Sequence, residues 1–319
     1  MRKSLAFVLA LVCAQISGPV HAQSQADLLR DSVEDDVQDG VAGILAVFAI
    51  SALPNQTANA LFLDTGADSN RTFDFRAAQI GGGFTYSETF PLYLEGYLGW
   101  SQYNPNVVLP MNGPGSEFSV DLKNYAATGG VGWDFGIAEH LFIRPVFMFS
   151  VGRVEAEAQP EAGPAVEESG LVGARDEGFW AGGVGASAAL VYQRDWPDGY
   201  SFDASLRHTY LHLEPVGSGT DVSTNADAIT TILWSRLRMP SGLTFLRRPL
   251  RGVVEVAASH NPGDQGAVLD TEWLVQAGGG IEINFEDTSV PLVKRTRLLL
   301  RYTQGENVNG FSVGFGLSF

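Results

Sequence analysis

Alternation between bulky apolar residues and small or polar ones runs through most of the chain and predicts β-strands. The last segment shows the pattern most clearly, with apolar groups at Phe311, Val313, Phe315, Leu317 and Phe319. The positions between them carry only serine and glycine. Successive side chains of a strand point to opposite faces, so one face of this strand is bulky and apolar and the other is small.

Twelve strands are predicted on the same grounds, at 59–65, 72–86, 90–103, 119–137, 140–155, 179–193, 200–214, 228–239, 249–260, 271–286, 295–304 and 309–319. Spans of this length with one apolar face favour an antiparallel transmembrane β-barrel of about twelve strands. A half-buried soluble sandwich would also alternate. Ten strands are the alternative count, because the first strand is short and 240–248 is a long turn for the periplasmic side.

The positions of the outward aromatic residues favour the membrane barrel over the sandwich. With an even number of strands, the first and the last residue of the barrel lie on the same side of the membrane, the periplasm. The outward aromatic residues then form two rings. The ring near the periplasmic rim contains Phe90, Phe135, Tyr192, Phe202, Phe285 and Phe319, and the ring near the outer rim contains Trp100, Tyr125, Trp180, Tyr210, Trp273, Tyr302 and Phe311. Two such rings are typical of the two membrane–water interfaces.

Residues 1–22 have the pattern of a secretory signal peptide: Arg2 and Lys3, an apolar stretch, then a small residue at the cleavage site. The lone cysteine, Cys13, lies inside this segment, so no disulfide is expected. The formal net charge of −16 becomes −18 once the signal is removed. That charge argues against nucleic acid as a partner, and the expected location is the bacterial outer membrane.

Residues 23–58 form a separate segment ahead of the barrel of 59–319. The segment is acidic at first and then apolar, and its apolar residues recur at helical spacing until Pro54. One interpretation is a helix in the periplasm or against the barrel rim. The other is a helix that enters the lumen from the periplasm and plugs it, with its carboxylates beside lumen arginines.

Three stretches, 79–105, 129–155 and 293–319, carry a family resemblance. With the order of signal peptide, helix, about twelve strands and terminal phenylalanine, they resemble the translocator barrel of autotransporters. The chain is most similar to solitary barrels of this type that lack a passenger, since 23–58 is too short for a β-helical passenger. The resemblance implies an outer-membrane barrel and an insertion signal for the barrel insertion machinery at Phe311, Val313, Phe315, Leu317 and Phe319.

The clearest candidate site is a set of charges that strand parity directs into the lumen. Its members are Glu95, Asp134, Arg144, Asp203, Arg207, Arg236, Arg238, Arg251, Glu255, Glu282, Arg297 and Arg301. Such charges can line a channel, pair with one another or hold a plug. The sequence alone leaves these three roles open.

No enzymatic motif is convincing. The run Asp64-Thr65-Gly66 lacks the second copy that an aspartic protease needs. His208 and His212 are about 13 Å apart if both lie in one strand, too far to share a metal or a proton. We therefore expect no catalytic residue, cofactor or metal, and a structural or surface-interaction role in outer-membrane lipid. The alternatives are a pore for small solutes and, with less support, an outer-membrane hydrolase; the sequence leaves the oligomeric state open.

Overall fold

The structure is a computed structural model that describes residues 42–54, 60–65, 73–109, 116–158, 178–217, 224–245, 248–285 and 295–318. The predicted signal peptide 1–22, the acidic part of the segment 23–58 and Phe319 lie outside these ranges. Among the helices of the described part, none is long and apolar enough to cross a membrane.

Thirteen strands make up one antiparallel sheet. They are β1 (Ala60–Thr65), β2 (Phe73–Thr85), β3 (Leu92–Leu109), β4 (Ser116–Trp133), β5 (Phe135–Ala138), β6 (Leu141–Ala158), β7 (Phe179–Asp195), β8 (Ser201–Val216), β9 (Ala226–Phe245), β10 (Arg248–His260), β11 (Trp273–Asn284), β12 (Arg295–Gly305) and β13 (Val308–Ser318). Among the described residues, two helices accompany them, α1 (42–52) and α2 (Asp264–Val268).

The sheet closes into a barrel of twelve positions. β1 pairs with β13, and β4 pairs with β6, so the ring has no free end. β4 and β5 occupy one position, because only Asp134 interrupts them and β5 continues the pairing with β6. The twelve-strand prediction is confirmed and the ten-strand alternative is wrong.

The register around the ring fixes the shape of the barrel. Starting at Ala60 and moving from each residue to its paired residue on the next strand, in the direction of β2, one arrives at Val216 of β8. The same walk through β13 leads instead to Phe202, fourteen residues away on the same strand. A shear of this size tilts the strands against the barrel axis and leaves an interior wide enough to hold side chains or a helix.

Three boundaries differ from those expected from the sequence. The predicted turn 240–248 is mostly strand, because β9 continues to Phe245 and pairs with the start of β10. β3 and β4 also extend beyond the predicted ends and pair out to Leu109 and Ser116. The short helix α2 follows β10 where only a loop was expected. Pro240 and Pro249 suggest a turn, but the hairpin accommodates both beside a register shift at the start of β10.

β1 covers only the outer part of its position in the wall. It pairs with both neighbours from Ala60 outward. Within the described ranges, residues 79–85 of β2 and 314–318 of β13 have no strand partner on the side that faces β1.

The exterior is an apolar belt between two aromatic rings. Exposed belt residues include Leu98, Phe147, Val184, Leu298 and Leu300. Of the predicted ring residues, Phe90, Phe135, Tyr125, Trp180, Tyr210, Trp273, Tyr302 and Phe311 are exposed, and Trp100, Tyr192, Phe202 and Phe285 are partly exposed. This exterior suits lipid rather than water.

An arginine in the middle of the belt should destabilise the barrel. Val131 is 48% exposed on the outer face, while its neighbour Gly130 points inward against Glu95. Val131→Arg should lower the free energy of unfolding in lipid vesicles by about 2–4 kcal/mol, because the charge enters the hydrocarbon. Val131→Ala is the control, and an arginine variant no less stable than the alanine variant would mean that Val131 does not face lipid.

Candidate functional site: the filled lumen

Helix α1 lies inside the barrel. Leu45, Val47, Phe48 and Ala52 are fully buried. They form one hydrophobic cluster with inward residues of the wall, including Leu63, Phe75, Tyr103, Leu122, Val154, Leu213 and Ala226. These wall residues lie near the outer ends of their strands. The apolar stretch 42–53 therefore fills the outer half of the lumen.

The C-terminal end of α1 is attached to the middle of the wall. The last carbonyls of a helix have no partner within the helix. Here Gln79 Nε2 donates to the carbonyl oxygens of Ser51 and Leu53 at 3.2 and 2.9 Å. Thr128 Oγ1 donates to the Ala52 carbonyl at 2.7 Å. The barrel wall thus supplies the C-terminal cap of the helix, and sequence reasoning identified neither side chain.

A glycine of the wall gives the helix room to approach. A Cβ atom at Gly99 would lie 2.0 Å from the Ser51 carbonyl oxygen. Farther out, a Cβ atom at Gly152 would lie 2.4 Å from the Phe48 ring and 2.0 Å from the Tyr125 carbonyl oxygen. The backbone of the wall is therefore in direct contact with α1 at Gly99.

The direction of the helix differs from the direction expected. Its C-terminal end contacts Gln79 and Thr128 in the middle of their strands, and its cluster partners lie toward the outer ends. The N-terminal end therefore faces the outer opening, not the periplasm. The expectation failed because helical periodicity gives no direction relative to a barrel. The acidic residues before 42 lie outside the described residues, so their pairing with lumen arginines stays a prediction.

The candidate charges occupy the periplasmic half of the lumen. All twelve are buried or half-buried, and each makes an ion pair with another member of the set. The sequence left three roles open for these charges. The geometry brings the charges together as partners of one another. The pairs form three groups.

The most enclosed pair joins Glu95 of β3 to Arg207 of β8. Arg207 Nη2 and Nη1 donate to the two carboxylate oxygens at 2.6 and 2.9 Å. The side chains are 0% and 4% exposed, respectively. Tyr93 donates a further hydrogen bond to Glu95 at 3.1 Å. This bidentate pair spans the lumen and joins two residues that are 112 positions apart in the sequence.

A second pair lies near the periplasmic rim. Arg144 donates to both oxygens of Asp134, at 2.6 and 2.9 Å. Thr85 donates to the same carboxylate at 2.5 Å. The Arg144 guanidinium also lies 3.7 Å from the centre of the Tyr93 ring, a cation–π distance. Tyr93 thus links this pair to Glu95.

The third group is a chain of shared carboxylates on β8 to β12. Glu255 accepts from Arg236 at 2.5 Å and from Arg301 at 2.8 Å. Asp203 accepts from Arg238 and lies 3.9 Å from Arg236. Glu282 accepts from Arg251 and Arg297, each at 3.4 Å. Each carboxylate in this group serves two arginines.

The set holds five carboxylates and seven arginines, so the periplasmic half of the lumen has an excess of positive charge. Glycines make room for the long arginines. Cβ atoms at Gly314 and Gly316 would lie 2.7 Å from the guanidinium groups of Arg301 and Arg297. Parity identified the charges, but not the glycines that accommodate them.

His208 and His212 each form a hydrogen bond with a residue of β9. His212 Nδ1 lies 2.7 Å from Asp227, and His208 Nδ1 lies 2.8 Å from Thr231. Both histidines are on the outer face of the wall, and Asp64 is exposed. Within the described ranges, no group of three or more His, Cys, Asp or Glu side chains could hold a metal ion.

No protein-family model matches the chain, and no curated protein matches it. Solved structures of similar architecture include three autotransporter barrels. The beta domain of the Bordetella autotransporter BrkA is 12% identical and has a TM-score of 0.48, with 82% of this chain and 97% of that chain covered. The transport unit of AIDA-I from Escherichia coli is 11% identical, TM-score 0.49, covering 89% and 99%. The translocator domain of NalP from Neisseria meningitidis is 12% identical, TM-score 0.42, covering 91% and 98%.

The exterior and the closure of the sheet decide the class of protein. The ring of twelve antiparallel positions satisfies most of its backbone hydrogen bonds between strands, as a lipid environment requires. The apolar belt between two aromatic rings matches the outside of bacterial membrane barrels. The chain is a transmembrane β-barrel of the bacterial outer membrane.

Proposed function

We propose that this protein is a non-enzymatic barrel of translocator type without a passenger, whose lumen is closed and whose N-terminal segment is presented at the cell surface. The observation that carries the proposal is the burial of α1 in the outer half of the lumen. A solute would have to displace this helix and then pass the ion-paired layer beneath it. Closure therefore favours a structural or surface-interaction role over a pore.

The polarity of α1 supports the surface role. The helix begins nearer the outer opening, which supports a surface position for the segment that precedes it. Residues 23–41 hold six carboxylates and one arginine. An acidic segment at the surface would suit a cationic partner, because opposite charges steer association.

Conductance in planar bilayers separates the closed barrel from a pore. The full mature chain should give no steady current at low voltage. Removal of residues 23–53 should produce discrete channels, because the outer half of the lumen loses its filling. Steady conduction by the full chain, no greater after the deletion, would replace the closed barrel with the pore alternative.

Labelling of intact cells tests the surface role. The mature chain has no cysteine, so a cysteine at Asp35 is unique. A membrane-impermeant maleimide should label Asp35→Cys from outside. Asp198→Cys, in the turn between β7 and β8 on the periplasmic side, is the control and should react only after permeabilisation. The reverse pattern would place the segment in the periplasm.

We also propose that the last strand is read by the barrel insertion machinery. Phe311, Val313 and Phe315 are exposed on the lipid face, which supports such recognition. The side chains of Leu317 and Phe319 lie outside the described residues, so their part in the signal stays a prediction.

A further inference from the structure

We propose that a cavity at the inner end of α1 binds a small neutral molecule with hydrogen-bond donors on an apolar body, and that this ligand holds α1 in the lumen. The inference rests on the proposed closed lumen and adds a ligand to it. Three observations support it: the composition of the cavity lining, two unsatisfied buried oxygens and the share of the lining that α1 provides.

The cavity lies between α1 and the wall formed by β9, β10, β11 and α2. It opens to solvent and offers about 90 Å³ to the centres of water-sized molecules. Ile50, Leu53 and Pro54 close it on the helix side, and Leu61, Leu269 and Leu274 are among its other apolar residues. None of the lining residues is charged. A charged ligand would find no partner there, so a neutral one is favoured.

Two of the residues that line this space carry buried amide oxygens without a hydrogen-bond partner. Gln265 and Gln276 are 2% and 7% exposed, and the Oε1 atom of each has no hydrogen bond in the described part of the chain. The amide nitrogen of Gln265 is already committed, since it donates to the Ile229 carbonyl at 2.6 Å. Thr230 likewise donates to Asn261 at 2.8 Å. The two unsatisfied buried atoms are therefore acceptors, and a ligand with donors such as hydroxyl groups would satisfy them.

The space is larger than these two oxygens need for water alone. Measured in the same way, one water molecule needs only about 10–15 Å³, together with two to four polar partners. Most of the lining is apolar and offers no such partner. A molecule with hydroxyl groups at one end and a short hydrocarbon chain satisfies both parts of the surface.

The ligand site exists only while α1 is in place. Ile50, Leu53 and Pro54 leave with the helix, so a ligand that needs them binds the closed state alone. Such a ligand shifts the equilibrium toward closure by the factor 1 + [L]/Kd. At ten times Kd, opening of the lumen should become about elevenfold rarer.

The test uses the full mature chain in lipid nanodiscs with 1,2-hexanediol as the probe. The diol should raise the midpoint of heat unfolding by roughly 2–3 °C at ten times its Kd. Hexanoate, which is charged, and diethylene glycol dimethyl ether, which has no donor, should give no comparable rise. Equal effects of all three probes would show general action on the lipid and overturn the proposal.

Two variants tie the effect to the cavity. Ala257 is buried in the lining, so Ala257→Phe fills the space, and Gln276→Leu removes one acceptor at similar size. Both should fold to heat-modifiable barrels that no longer respond to the diol. A full response in either folded variant, or no response in the wild type, would leave the cavity as a site for water only. Conduction by the wild type, recorded in parallel, would count against the closed lumen instead.

Discussion

Glu95→Gln should destabilise the barrel by about 3–5 kcal/mol, the usual loss when one partner of a buried ion pair is removed. The carboxylate side chain is fully buried, and glutamine would leave the Arg207 guanidinium charged with no negative partner within the same enclosure. Equilibrium unfolding in urea with lipid vesicles would measure the loss.

Two controls separate burial from charge. Arg153 and Glu155 form a pair at 3.2 Å whose side chains are 37% and 39% exposed, so Glu155→Gln should cost less than about 1 kcal/mol. The double variant Glu95→Leu with Arg207→Met should recover much of the loss, because no charge then remains buried. Equal losses from Glu95→Gln and Glu155→Gln would show that the Glu95 site is open to water.

The wall of the barrel could be read from the sequence because alternation is a local signal. Side chains alternate between the two faces of a strand with a period of two residues. The number of strands and the inward direction of each charge could therefore be predicted without knowing which strands are neighbours. The ends of β9 and β10 could not be found in this way. Prolines in 240–249 look like a turn, and only pairing with the opposite strand keeps that segment in the sheet.

The identity of the ion pairs was beyond the sequence for a different reason. Glu95 and Arg207 are 112 residues apart, and which arginine reaches which carboxylate depends on the shear of the closed ring. The excess of arginine over acid suggested an acidic plug. In the structure the arginines of this group find partners because carboxylates are shared. Asp203, Glu255 and Glu282 each pair with two arginines.

The sequence predicted the helix of the plug but not the part of the segment that enters the lumen. A helix ending at Pro54 followed from periodicity, but its acidic half drew attention as the part that would enter the lumen. The apolar part fills it, because the outer half of the lumen is lined by apolar side chains. Gln79, Thr128 and Gly99, which position the helix, carry no sequence signal, since their role comes only from the atoms of α1 beside them.

Gly99→Ala should therefore loosen the plug while leaving the barrel intact. The added Cβ would lie 2.0 Å from the Ser51 carbonyl oxygen and 2.9 Å from its carbon, so the backbone of α1 must move. Overpacking of this kind typically costs 1–3 kcal/mol. If only the closed state bears that cost, opening events in single-channel records should rise by roughly 5- to 150-fold.

A second glycine of the same strand provides the matched control. Gly96 lies on the outer face, and the nearest atom to an added Cβ is 4.0 Å away, so Gly96→Ala meets no obstacle. It should conduct as rarely as the wild type. Both variants should remain heat-modifiable, because the clash at Gly99 is with the helix and not with a neighbouring strand. If Gly99→Ala folds and opens no more often than Gly96→Ala, then the contact between Ser51 and the wall does not hold α1 in the lumen.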